Sequence, residues 1–214
     1  GTYSTKESIE YTKMANDIGV DGIMIVTPYY SKPSQFGILK HFEEVSNNTD
    51  LPIMAYNIPG RTATLIEIDT LEKLVDDIGI HSIKDAVGDL EFSKNELEAL
   101  KDKVDIYSGN DGETIEFMKM GGKGVVSVAS HVVGNEIYDL INHVLNDEVE
   151  SAEHLQNQLL PLFDLLFEEP SPGPVKYLLT KTWEDVGSPL MPISDISSEL
   201  ANKLLDNFQK IKNN

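Results

Sequence analysis

The chain predicts an α/β fold built on a parallel sheet, and three features predict it. Short apolar runs alternate with amphipathic helical stretches through residues 1–147. The runs are continuous rather than strictly alternating, as in strands covered on both faces, and the connections between them are short. Ser4-Thr5-Lys6-Glu7 has the form of a capping box and opens a helix to about Ile18, which Gly19 closes. Residues 22–26 read as a buried strand. Ser34 caps a helix carrying Ile38, Leu39, Phe42 and Val45 at helical spacing, and residues 52–56 form the next strand. Asp69 and Glu72 form a second capping box for a helix ending near Gly79. Strands at 80–84, 104–108 and 124–128 then alternate with helices at 91–100, 114–120 and 135–146. From 148 onward only helices are expected, at 150–168, 174–183 and 198–212, with two proline-rich breaks between them.

Five strands fit either an open doubly wound sheet or a (β/α)8 barrel whose first strands are not in this chain. The expected division is a partial barrel over residues 1–147 and a helical extension over 148–214.

Composition narrows the function. A formal charge of −19 over 214 residues repels nucleic acid and anionic lipid, so neither is expected as a partner. No apolar run approaches the length of a membrane span. With no cysteine, disulfides and Cys-based metal sites are excluded, and a reducing cytoplasmic setting fits. Asp111 and Glu113 lack the convergent spacing of a metal site, the histidines are scattered, and no P-loop or dinucleotide fingerprint occurs, so no metal or cofactor is expected.

Several polar residues fall at the C-terminal ends of strands, where parallel α/β folds place their active sites. Lys84 ends the strand Ile80-His81-Ser82-Ile83-Lys84. Loss of hydration there favours the neutral amine, a nucleophile for a carbonyl; an ion pair with Asp85 is the plainer alternative. Tyr56 ends the strand before Asn57-Ile58-Pro59-Gly60-Arg61-Thr62 and has the chemistry of a proton shuttle, or of a half-buried aromatic with its hydroxyl satisfied. Arg61, the single arginine, suits a carboxylate in its two-pronged fork, though a surface ion pair is as good a reading of it. Tyr29 and Tyr30 follow the first strand at a turn, a setting shared by interfaces and catalytic elements. Gly109 follows the strand ending at Ser108, and Gly121 and Gly122 precede the one containing Val126; such glycines admit a ligand or simply a turn.

Together these segments resemble the dihydrodipicolinate synthase and N-acetylneuraminate lyase family of class I aldolases. The matching stretches are Val26-Thr27-Pro28-Tyr29-Tyr30, Tyr56-Asn57-Ile58-Pro59-Gly60-Arg61-Thr62, Ile83-Lys84-Asp85-Ala86, Tyr107-Ser108-Gly109-Asn110-Asp111, residues 121–128, and Glu169-Pro170 through Pro174-Val175-Lys176. They occur in family order. The resemblance implies a (β/α)8 barrel with a C-terminal helical extension, assembled as dimers or tetramers. It makes Lys84 the Schiff-base residue for pyruvate, Tyr56 the proton shuttle and Arg61 the holder of the second substrate's carboxylate. Tyr30 would complete a neighbouring subunit's proton relay, and the backbone at Gly109 and Val126 would line the pocket.

Arg61 after the Asn-Ile-Pro turn resembles the synthases, which implies aspartate 4-semialdehyde as the partner of pyruvate. The alternatives are a lyase for a sugar-derived 2-oxo acid and an inactive shortened paralogue kept as an interaction protein. The family's Gly-Thr-Thr-Gly-Glu loop has no counterpart here, and Tyr3 stands at a position that bears Asn in lysine-inhibited members. Val87 and Gly173 replace residues more often Thr and apolar. The expectation is therefore a chain comprising the C-terminal two-thirds of such an enzyme, unstable and inactive by itself.

Overall fold

The computed structural model describes residues 1–213, which divide into two compact units. The first comprises Gly1–Asn110 and Met120–Val126; the second comprises Asp111–Lys119 and the chain from Ser127 onward.

The first unit alternates helix and strand: α1 (Thr5–Ile18), β1 (Ile23–Val26), α2 (Gln35–Ser46), β2 (Ile53–Asn57), the short α3 (Pro59–Thr62), α4 (Ile68–Asp76), β3 (Ser82–Asp85), α5 (Leu90–Ala99) and β4 (Asp105–Ser108). All neighbouring strands pair in parallel, in the order β1-β2-β3-β4. Strand order that follows chain order has no point of reversal, which separates this sheet from a doubly wound one. Where a strand is expected over residues 124–128, a lone parallel bridge joins Val125 to Ser108. Gly121 and Gly124 hold left-handed backbone there, with φ of 113° and 152°, and interrupt extended pairing.

The two faces of the sheet differ. Ile25, Ile53, Ala55, Ile83 and Ile106 are buried, and Ile38, Phe42 and Val45 of α2 and Leu71 and Leu74 of α4 are buried with them. Residues one step along each strand, among them Met54, Tyr56, Ser82 and Tyr107, are only half-buried. Alternation at period two thus gives one face to the core and leaves the other partly open.

The helix ends follow local chemistry. Ser4 Oγ accepts the Glu7 N–H, and Gly19 closes α1 at φ 82°. The Glu7 carboxylate accepts the Thr2 hydroxyl at 3.1 Å, and Thr2 Oγ1 accepts the Ser4 N–H, so a relay replaces the reciprocal half of the expected box. Ser34 caps α2 through the Gly37 N–H. The second expected capping box does not form. Helix α4 starts at Ile68 after Glu67, which makes no side-chain cap bond, and Asp69 lies in the first turn, where a negative charge is favoured.

The second unit is helical among the described residues. A 3-10 turn (Asp111–Glu113) leads into α6 (Thr114–Lys119), followed by α7 (Ser130–Leu145), α8 (Val149–Leu165), α9 (Gly173–Thr182) and α10 (Ser198–Lys212). Ile115, Leu140 and Ala152 form a core cluster with Val144 and Leu155. Helix α7 breaks at Val133, whose φ of −128° and ψ of 45° are not helical. No helix among the described residues is long and apolar enough to cross a membrane.

Candidate active site at the strand ends

One row of the parallel ladder carries the polar residues. Val26 pairs with Tyr56, Tyr56 with Lys84, and Lys84 with Tyr107, so four strands present these side chains side by side on the half-open face. The next residue on each strand turns toward the helices. Asn57, Asp85 and Ser108 are all buried. Parallel pairing in this register therefore separates an amine from the neighbouring carboxylate across the thickness of the sheet.

Lys84 is 8% exposed, and its Nζ lies 4.2 Å from the centroid of the Tyr56 ring. Burial pushes the Tyr56 phenol above its ordinary value, and the Arg61 guanidinium opposes the shift. Thr27, fully buried, steadies Tyr56 from the other side: its N–H and its hydroxyl both reach Tyr56 O at 3.3 Å.

Tyr56 also joins a second group. It lines a cavity of about 330 Å³ with Arg61, Val26, Met24 and Tyr29. Arg61 is exposed, on the last turn of α3, and Pro59 opens that helix where a missing N–H costs nothing. The sequence-predicted residues Lys84, Tyr56 and Arg61 thus come together through the Tyr56 ring.

Gly109 adjoins the same cluster. Its N–H donates to Asp85 O at 2.5 Å. A Cβ added there would lie 2.9 Å from Lys84 Cε, 2.6 Å from Ala86 Cβ and 3.0 Å from Asp85 O. The glycine is required chiefly by the close approach of Ala86 Cβ and the Asp85 carbonyl, with the more flexible lysine side chain packed against it. Val126 N–H donates to Ser108 O at 2.8 Å, which fixes it beside the end of β4. Tyr30 stands apart: it is 91% exposed, with φ at 69°. An aromatic residue in left-handed backbone is strained, and such strain gathers at functional sites.

Four further residues bear on the site. Tyr107 shares the Lys84 row, and counting back one residue from Ser108 finds it. Thr27 and Asn57 lie within the stretches already singled out around Tyr30 and Tyr56. Glu96 lies fully buried on α5, in a pattern with Ser93, Leu97 and Leu100 that has helical period. Burial, and secondarily the Asp85 charge, push Glu96 up to about 9; burial also raises Asp85, which accepts from Ser93 Oγ at 2.5 Å and from Val87 N–H at 2.8 Å. No donor reaches either Glu96 oxygen, so burial beside Asp85 favours the neutral, protonated form of Glu96. Among the described residues no group of three or more His, Asp or Glu side chains is arranged to hold a metal ion.

Comparison with known proteins identifies the family. 4-Hydroxy-tetrahydrodipicolinate synthase 1 of Halalkalibacterium halodurans is 42% identical over 204 residues, 95% of this chain and 69% of the relative. The crystal structure of a dihydrodipicolinate synthase from Bacillus anthracis superposes with a TM-score of 0.94 at 42% identity, covering 98% of this chain and 72% of that one. The chloride-inhibited dihydrodipicolinate synthase of Acinetobacter baumannii, complexed with pyruvate, superposes with a TM-score of 0.94 at 32% identity, covering 99% of this chain and 73% of that one. The profile of the dihydrodipicolinate synthetase family matches residues 1–211. Matched by the profile over residues 1–211, 42% identical to a named synthase and superposable on solved synthase structures, the chain belongs to the dihydrodipicolinate synthetase family.

Proposed function

We propose that this protein condenses pyruvate with aspartate 4-semialdehyde through a Schiff base on Lys84, giving 4-hydroxy-tetrahydrodipicolinate for lysine and diaminopimelate synthesis. The observation that carries this reading is the Lys84 amine, 8% exposed at the end of β3 and set 4.2 Å from the Tyr56 ring centroid on the half-open face. Lys84 Nζ attacks C2 of pyruvate, and loss of water leaves the imine. A proton then leaves C3, and the resulting enamine carbon attacks the aldehyde carbon of the second substrate. Tyr56 carries protons between these steps, and its raised pKa keeps the phenol protonated at neutral pH, ready to donate. The semialdehyde's own amine finally attacks the imine carbon, closing the ring and releasing Lys84. Arg61, exposed at the cavity it shares with Tyr56, holds the semialdehyde carboxylate through its fork.

The architecture that supports this reading is a singly wound parallel sheet with one half-open face, which we read as part of a (β/α)8 barrel over residues 1–147 followed by a helical extension over 148–214. Gly109 and Val126 line the pyruvate pocket. Tyr30, exposed and strained, serves a neighbouring subunit in a dimer or tetramer. The reaction proceeds without a metal or cofactor, in the cytoplasm.

The deciding experiment incubates the full-length enzyme with pyruvate and borohydride and maps the adduct. A reduced adduct on Lys84, absent in Lys84→Ala, is expected together with condensation of the semialdehyde. An adduct on another lysine, or cleavage of a sugar-derived 2-oxo acid in place of condensation, overturns the assignment.

A further inference from the structure

The chain between Tyr56 and helix α4 leaves the sheet, forms the short helix that carries Arg61, and returns. Its outward half holds itself together: Arg61 and Thr62 N–H both donate to Ile58 O at 3.0 Å, and Ala63 N–H donates to Pro59 O at 2.8 Å. The return, Leu65–Ile66–Glu67, belongs to no sheet. Two side-chain carboxamides hold it instead. Asn57 Nδ2 donates to Ile66 O, and Asn57 Oδ1 accepts the Ile66 N–H, both at 3.0 Å. On the opposite edge Gln35 Nε2 donates to Leu65 O at 2.8 Å, and Gln35 Oε1 accepts the Glu67 N–H at 3.2 Å. Residue 66 bonds one way and its two neighbours the other, which is the pattern of a central strand. The two amides stand in for the missing strands on either side.

The placement of the amides suggests more than satisfied backbone. Asn57 follows Tyr56 in β2, is fully buried, and pairs through its backbone with Asp85, while its carbonyl accepts the Ala86 N–H at 2.9 Å. Asn57 is therefore locked to the Lys84-bearing strand on one side and to the return of the Arg61 loop on the other. Gln35, the first residue of α2, supplies the second reference point. We infer that Asn57 and Gln35 are positioning residues that set the reach of Arg61 relative to Tyr56 and Lys84, and so tune recognition of the semialdehyde carboxylate.

This rests on the role proposed for Arg61, and the experiment separates the two. Gln35→Ala and Asn57→Asp are made in the full-length enzyme; the aspartate can accept from Ile66 N–H but cannot return a bond to Ile66 O. Losing two neutral hydrogen bonds in Gln35→Ala, or the one donated to Ile66 O in Asn57→Asp, should raise KM for the semialdehyde about 5- to 10-fold. The pyruvate–borohydride trapping rate should stay within about twofold of wild type, because Lys84 and Tyr56 stay in their ladder. In Gln35→Ala, hydrogen exchange at the Glu67 amide, which loses its acceptor, should speed up about 10-fold or more. Gln35 is half-buried, so its variant decides the matter should Asn57→Asp fail to fold. Faster Glu67 exchange with an unchanged KM would overturn the positioning role, and unchanged Glu67 exchange in Gln35→Ala would overturn the clamp itself. Arg61→Ala is run beside them. An unchanged KM in that variant overturns both the carboxylate role and the inference built on it, and is recognised by a Glu67 exchange rate that has not moved.

Discussion

Gly109→Ala probes the closest approach at the site. The added methyl would meet Ala86 Cβ at 2.6 Å, Lys84 Cε at 2.9 Å and Asp85 O at 3.0 Å, all inside ordinary van der Waals contact. Two of these neighbours cannot easily yield. Ala86 is tied to Asn57 O through its N–H, and Asp85 O already accepts the Gly109 N–H. The lysine side chain is the flexible member, and clearing the methyl moves Cε by about 0.5 Å at least, away from a position beside the Tyr56 ring. Overpacking of this kind costs about 1–3 kcal/mol, which in a domain of this size lowers Tm by roughly 2–10 °C. Displacing a nucleophile by a fraction of an ångström should slow adduct formation about 10-fold or more. The assays are thermal melting and the rate of pyruvate trapping by borohydride. Gly112→Ala, whose methyl meets only Leu160 Cδ2 at 3.5 Å, serves as the control and should change stability by less than about 0.5 kcal/mol. A lowered Tm with wild-type trapping would show that the backbone absorbs the strain and that Gly109 does not place Lys84.

Other expectations follow from the same geometry. Arg61→Lys keeps the charge and loses the planar fork, so KM for the semialdehyde should rise about 10-fold with pyruvate trapping intact; equal loss of both would refute the role. Tyr30→Phe removes only a hydroxyl and should lower kcat about 100-fold with the sedimentation profile unchanged; a wild-type kcat would remove Tyr30 from the relay. Glu96 sits well above the ordinary carboxylate value, at about 9, so its contribution to stability is full below about pH 4.5 and is lost as pH rises toward 9. Glu96→Gln should therefore flatten the decline in urea midpoint between about pH 5 and about pH 9, and parallel curves for the two proteins would refute the buried proton.

Much of this was legible in the sequence because it depends on period and position. Lys84 and Tyr56 were singled out by their places at strand ends and Arg61 as the single arginine just beyond one, and a parallel ladder with consecutive order brings strand ends together. The fifth strand was over-read: Val125 and Val126 have strand composition, but the left-handed backbone at Gly121 and Gly124 limits pairing to one bridge. The Asp69 box failed because the chain enters α4 from the clamped segment, where Gln35 already takes the Glu67 N–H, so the helix starts two residues early. Gly109 was noted as a place for close approach, and the atoms that leave no room there for a Cβ are Ala86 Cβ, Lys84 Cε and Asp85 O. The two-amide clamp left no trace in the sequence. Its partners are separated by 9 and about 30 positions, and neither periodicity nor a short motif reports such pairs.

Lys84 and Asp85 are consecutive, yet one looks into the half-open face and the other is sealed beside Ser93 on the helix side. A strand displaced by one residue would exchange them, driving a cation among buried aliphatic side chains and leaving the site with an acid where it needs an amine. Both errors are severe, and they arrive together. Homologous chains should thus tolerate changes of residue identity along the Ile80–Asp85 stretch while forbidding changes of its length. Insertions and deletions belong in the loops on either side, and a gap placed inside this stretch in any alignment would mark a mistaken alignment or a protein that has given up the reaction.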